Sequence, residues 1–225
     1  GDINSFRGTP QDTLAMTLGD AFCVGVPLWG SFADYIAING KTVPREEVLK
    51  IYSEEWASLF GLLEKGGLHV RYGGNIEVNF SGGETADLPD QVRTLDVVGT
   101  LFTRYRMDSL ITGESIRPGD ILIGLASGGK TKYEAKPSGA IMSNGLTLAR
   151  HCLMRKEFGE KYPEIRDPDP KNEYTGPYSP TDKADGIDGT IGEELTRPAR
   201  IYAPIFKAAI EEFGPAMHGI SFNTG

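Results

Sequence analysis

The stretch from residue 43 to residue 66 constrains this chain more than any other. Val48, Ile51, Tyr52, Trp56, Leu59, Phe60 and Leu63 recur at three-and-four spacing, which places them on one face of a helix. Pro44 suits the first turn of that helix and Gly66-Gly67 its stop. Residues 76–80 then alternate as a short strand running into Ser81-Gly82-Gly83. Residues 93–105 alternate again, with Leu95, Val97, Gly99 and Leu101 set against Asp96, Val98, Thr100 and Phe102, which predicts a long half-buried strand. Arg117-Pro118-Gly119-Asp120 reads as a turn, and residues 121–126 as a buried strand. Further helices are expected over 144–158 and 199–213, the second with Pro198 in its first turn and Gly214-Pro215 at its end. A last strand is expected over 217–222. Residues 163–192 hold 5 Pro and 4 Gly and read as a long surface arm. The fold class is α/β (α+β), with mixed sheets packed by helices. A composition shift near Arg117 divides the chain into a domain at 1–116 and a second at 117–225.

Charge and composition exclude several function classes. Lys and Arg number 23 against 31 Asp and Glu, a net charge of −8 over 225 residues. That balance argues against a nucleic-acid platform, although a few local donors suffice for a small anion. No apolar run approaches the roughly 18 residues of a membrane helix, so no membrane partner is expected. The polar start, Gly1 to Arg7, has no signal-peptide pattern, and a first residue other than Met suggests a processed chain or a fragment. Cys23 and Cys152 read as two small buried hydrophobes in a reducing, cytoplasmic compartment. Glycine is the outlier, 29 residues, clustered in short loops after apolar runs where a backbone can approach a ligand.

Four constellations offer chemistry. Gly124 to Thr131 fits the G-x-x-x-x-G-K-T phosphate-loop pattern after an apolar run. Pro137 and Gly139 follow too closely for the long helix such a loop needs, so a chance match is expected. Ser81-Gly82-Gly83-Glu84-Thr85 sets a carboxylate directly after two glycines, an arrangement suited to phosphate and Mg²⁺, or to a plain tight turn. Asp12 and Asp20 lie eight residues apart on an apolar helix, just over two turns, and so near one face. They suit a magnesium nucleotide, or ordinary capping and solvation. Ser143-Asn144-Gly145 opens a helix, as an anion contact or with Ser143 as its N-cap. His69, His151 and His218 have no metal-ligand spacing.

In this order, the segments resemble the aminoimidazole ribonucleotide synthetase (phosphoribosylformylglycinamidine cyclo-ligase) family. Asp12 to Asp20 is similar to the family helix ending in Asn-Asp, with Gly19 in place of the Asn. Gly82 to Ala86 resembles its Gly-Gly-Glu-Thr-Ala motif, and residues 118–125 with Ser143-Asn144-Gly145 resemble its strand and His-Ser-Asn-Gly turn. Residues 196–202 with His218-Gly219-Ile220 resemble its last helix and strand. Met142 stands where the family has the His, and the family's upstream Asp-Gly-Val-Gly-Thr-Lys loop is not in this sequence. The resemblance implies a two-domain fold, a homodimer with ATP bound by the N-terminal half, and a small phosphoribosyl substrate enclosed by the C-terminal half. It implies ATP-driven ring closure of formylglycinamidine ribonucleotide. Asp20 and Glu84 would hold Mg²⁺, and Gly82, Gly83, Thr85 and Asp12 would bind the nucleotide. Ser143 and Asn144, as catalytic residues, and Gly145 would face the second substrate or the transferred phosphoryl group of the cofactor. The alternatives are a relative of the same fold with another acceptor, and a non-catalytic binding relative.

Overall fold

A computed structural model describes residues 2–64, 76–130 and 141–223. Helix α1 (Gly8–Cys23) leads into strand β1 (Trp29–Ile38), helix α2 (Arg45–Glu64), and strands β2 (Val78–Asp87) and β3 (Leu95–Arg104). The sheet order is β2-β1-β3, with β1 parallel to β2 and antiparallel to β3. The class is α/β with a mixed sheet, as expected. Helix α2 is the crossover that a parallel pair requires, and it lies over β2 while α1 lies over β3.

The aromatic stripe of α2 finds its partners on β1 and β2. Trp56 and Phe60 pack with Phe32 and Phe80 at ring-centroid distances of 5.2–6.2 Å. Leu14, Leu18, Phe22, Phe32, Ile38, Val48 and Tyr52 are almost fully buried around them. At the far end of β1, Asn39 organises the passage from β2 to β3. Its backbone N–H donates to Thr94 O at 2.7 Å, and its side chain donates to Val92 O and Arg93 O at 3.1 and 3.2 Å. A buried amide with donors and acceptors on both sides holds a turn that apolar contacts alone leave free.

The second half differs from expectation in several places. Residues 121–126 form no strand among the described residues, and Ile121, Leu122 and Ile123 are 86%, 98% and 78% exposed. An apolar run becomes a strand only where another strand pairs with it, and among the described residues none does. The helix expected over 144–158 is two: α3 (Leu146–Leu153) and α4 (Lys156–Lys161). Between them the backbone turns to the arm instead: Arg155 N donates to Tyr178 O at 2.8 Å and Gly176 N to Met154 O at 2.9 Å. The arm itself is folded. Met154, Tyr174 and Ile191 make a small core, with Phe158, Tyr178 and Ile187 against it. Helix α5 (Ile191–Leu195) starts on a reciprocal capping box between Thr190 and Glu193.

Helix α6 runs over Ala203–Phe213, later than expected, with Pro204 rather than Pro198 in its first turn. Residues 198–202 stay non-helical because other elements claim their polar groups. Ala199 N–H donates to an Asp12 carboxylate oxygen at 2.7 Å, and Ala199 O accepts from the Gln11 amide at 2.8 Å. Residues 217–222 form no strand among the described residues. Ile220 and Phe222 instead pack on the first core, as do Ala199, Ile201, Tyr202 and Phe206. Packing thus runs across residue 117, where composition suggested a boundary.

Candidate active site

The Gly-Gly-Glu-Thr segment does not follow its strand as a turn; it lies inside β2. Parallel pairing carries β2 on to Asp87, and the register slips once between Phe32 and Ala33, leaving Ser81 unpaired. The bulge is fixed by the Ser81 hydroxyl, which donates to Phe32 O at 2.9 Å. Gly82 has φ +113°, a conformation that suits glycine. Gly83 is small for a different reason: a Cβ there would lie 1.7 Å from Asp34 Oδ1 and 2.6 Å from Asp34 O.

Asp34, against Gly83, is a buried carboxylate that sequence reasoning passed over. It is 8% exposed on the central strand, and Trp56 Nε1–H donates to its Oδ2 at 2.8 Å. Burial pushes its carboxyl above the usual carboxylate range, and the Trp56 hydrogen bond partly opposes that shift. The signal in the sequence was a lone carboxylate within the apolar stretch 32–38.

Glu84 shares its row with Tyr35 and Val98, both exposed, on the face of the sheet away from the helices. Thr85 pairs with Ile36 and is exposed at the edge strand. Asp20 is exposed in the last turn of α1, which packs on the other face. The sheet therefore stands between Asp20 and Glu84 within one chain. Among the described residues no group of three or more His, Cys, Asp or Glu is placed to hold a metal ion.

Asp12 and Asp20 share α1 but not an environment. Asp12 is turned against residue 199, and burial lifts its pKa to about 6, against the hydrogen bond from Ala199 N–H. Helical periodicity placed both near one face; the segment at 198–200 then covers only the first.

Ser143-Asn144-Gly145 forms a single 3-10 turn before α3. Neither Ser143 nor Asn144 caps a backbone N–H of the helix, whose N-cap is Gly145. The Ser143 hydroxyl instead donates to Asn144 Oδ1 at 3.3 Å, and Asn144 is exposed. Of the two readings of Ser143, the N-cap is not the one found.

The Gly124–Lys130 loop is built the opposite way from a phosphate loop. Such loops aim backbone N–H groups at an anion. Here the carbonyls of Ala126, Gly128 and Gly129 accept from the Arg200 guanidinium at 2.8, 3.3 and 3.1 Å, and Ala126 O also accepts from Tyr202 at 3.0 Å. The helix that a phosphate loop requires after Lys130 falls at 131–140, outside the described residues. His218 lies 2.8 Å from Asp120 Oδ2, and that contact, with the Arg117 N–H, holds the Asp120 carboxyl below its ordinary range. Cys152 is exposed and Cys23 half-buried; both are free, so neither is the fully buried hydrophobe expected. No helix among the described residues is long and apolar enough to cross a membrane.

No family model matches the chain. It is similar to curated proteins named phosphoribosylformylglycinamidine cyclo-ligase. It is 32% identical over 225 residues to that of Methanobrevibacter smithii, covering 99% of this chain and 52% of the relative. Against that of Methanothermobacter thermautotrophicus it is 32% identical over 224 residues, with the same coverages. Against that of Pyrococcus horikoshii it is 33% identical over 227 residues, covering 99% of this chain and 51% of the relative. The chain thus spans about half the length of the curated relatives it matches.

Proposed function

We propose that this chain, which is similar along 99% of its length to proteins named phosphoribosylformylglycinamidine cyclo-ligase, carries part of an ATP-dependent ligase that closes the imidazole ring of aminoimidazole ribonucleotide in purine biosynthesis. The observation that carries this reading is a match to relatives of one name along 99% of the chain. In the reaction, the formyl oxygen of formylglycinamidine ribonucleotide attacks the γ-phosphorus and ADP leaves. A substrate nitrogen then attacks the activated carbon, phosphate leaves, and a proton is lost as the ring closes. Positioning and charge neutralisation supply most of the rate in such transfers.

Asn144 is our choice for the acceptor contact. Its exposed amide both donates and accepts, and no helix cap claims it. Ser143 and Gly145 complete that turn. Gly82, Gly83 and Thr85 would line the nucleotide, and Asp12 would contribute from α1. Glu84 and Asp20 carry the oxygen donors that suit Mg²⁺, which commonly takes one or two carboxylates beside substrate phosphates. One chain does not bring the two to a single ion, so each carboxylate is proposed and tested as a separate oxygen donor. The outer sheet face, where Trp29, Tyr35, Val98 and Phe102 are exposed, would pair with a second copy to form a homodimer in the cytoplasm.

A second reading keeps the phosphoryl transfer and changes the acceptor. Met142, in place of the family's His, packs against the first core and offers no proton-transfer group to the turn. The test is ADP release by the full-length protein, with and without formylglycinamidine ribonucleotide. Stimulation by that substrate is expected, and Asn144→Ala should lower it by about tenfold or more, ~1.4 kcal/mol, with ATP affinity unchanged. Glu84→Gln and Asp20→Asn should each remove Mg-ATP-dependent turnover. No stimulation in the wild type would refute this acceptor, and wild-type turnover in both carboxylate variants at low Mg²⁺ would refute their assignment.

A further inference from the structure

Among the described residues, the side chains that hold the Gly-rich loop before the Ser143 turn are those of Arg200 and Tyr202. The run leading into it is exposed, Leu122 almost completely. Gly128 and Gly129 bring no side chains, and Gly129 adopts φ +76°. Two adjacent glycines sample many backbone conformations unless something outside the loop restrains them.

Arg200 supplies that restraint. It is 6% exposed, and its planar fork reaches three loop carbonyls, on Ala126, Gly128 and Gly129. A guanidinium spans several acceptors at once, which the single ammonium of Lys cannot do. Tyr202, two residues on, donates to Ala126 O as well. The backbone that carries Arg200 is itself pinned to α1: Ala199 N–H donates to Asp12, and the Gln11 amide donates to Ala199 O. The chain of contacts therefore runs from α1, through residues 199–202, to the loop.

We propose that Arg200 is a positioning residue, locking the loop segment from Ala126 to Gly129 to helix α1 so that the acceptor-facing turn at 143–145 is approached from one fixed backbone. Arg200 touches no reacting atom in this role. It sets how often the acceptor side of the site is assembled, and it rests on the reading of Asn144 as an acceptor contact. When the loop samples many positions, the apparent acceptor affinity falls by the fraction of time the loop is in place, while kcat for bound substrate changes little.

The experiment combines hydrogen exchange with kinetics in the intact protein. In Arg200→Lys, amides of 121–130 should exchange about tenfold faster or more, while those of α1 keep wild-type rates. The KM for formylglycinamidine ribonucleotide should rise by a similar factor, with the KM for ATP within about threefold and kcat nearly unchanged. Tyr202→Phe, which keeps the guanidinium, should raise loop exchange only about two- to threefold and stay folded, so it decides the matter if Arg200→Lys does not fold. Wild-type loop exchange in both variants would overturn the proposal. So would equal acceleration in the loop and in α1, because Arg200 would then support the whole core rather than the loop. The exchange measurement needs no turnover, so failure of the ligase reading would leave this result standing by itself.

Discussion

Gly83→Ala is the sharpest probe of how the central strand is built. The new methyl carbon would sit 1.7 Å from Asp34 Oδ1, 2.9 Å from its Cγ and 2.6 Å from its backbone O. The carboxylate can rotate away, but only by leaving the Trp56 indole N–H that donates to it at 2.8 Å. The backbone carbonyl belongs to the middle strand and has no such freedom. Over-packing of a well-filled interior costs about 1–3 kcal/mol. Loss of a buried hydrogen bond to an ionisable group costs about 1.5–3 kcal/mol more. The sum, roughly 2.5–6 kcal/mol, is a large share of the 5–15 kcal/mol that holds an ordinary domain together. Urea unfolding followed by tryptophan fluorescence measures it directly. Asp34→Ala in the same background removes the nearest clash, so the double variant should be more stable than the two single effects added together predict. Gly82→Ala meets no atom within 4 Å and carries only the strain of φ +113°, about 1–2 kcal/mol, which truncating Asp34 should not relieve. A Gly83→Ala protein within about 1 kcal/mol of wild type, or strict additivity with Asp34→Ala, would refute the packing argument.

Two further outcomes follow from the geometry. Folded Asp12 keeps its proton up to about pH 6, against 3.8 for the free side chain, so the folded state binds more protons between those values and stability falls as pH rises through the interval. Asp12→Asn keeps an acceptor for Ala199 N–H without the charge, and its unfolding free energy in urea should gain on wild type by the order of 3 kcal/mol between pH 4 and pH 7; parallel curves would rule this out. Lys130→Ala should change ATP affinity less than about threefold by calorimetry, since the loop's carbonyls face Arg200, and a hundredfold loss would restore the phosphate-loop reading.

What could be read in the sequence was whatever keeps a regular period. Helix α2 and strand β3 have uninterrupted apolar spacing, and both lie close to where that spacing puts them. Strand β1, the middle of the sheet, has none: Gly30, Ser31, Ala33 and Asp34 break its alternation, and Asp34 is buried by pairing with Trp56 rather than by being apolar. The bulge at Ser81 hides the second half of β2, because one unpaired residue shifts the alternation to the other face. In the arm, Tyr174, Tyr178, Ile187 and Ile191 are too far apart to show a period, so their shared core was invisible in a Pro-rich stretch. Residues 121–126 err the other way, with the composition of a strand and no partner among the described residues. The Arg200 contacts join positions more than 70 residues apart, and no local pattern encodes them.

The strand order has a consequence for how the chain reaches its fold. The central strand has no hairpin partner in the described sheet: Gly30 pairs with Val78 on one side, and Ile38 with Leu95 on the other. Each pairing must close a loop of roughly 50 residues or more before it returns any energy, and chains dominated by such distant pairings fold slowly. During synthesis, β1 leaves the ribosome with both edges bare and an apolar face uncovered until β2 and β3 follow. For that interval it is a ready template for pairing with another nascent chain. Cells that start many copies of this protein at once would be expected to lose it to aggregates rather than to unfolded monomer, and fewer initiations per message, which keep neighbouring nascent chains apart, should recover it.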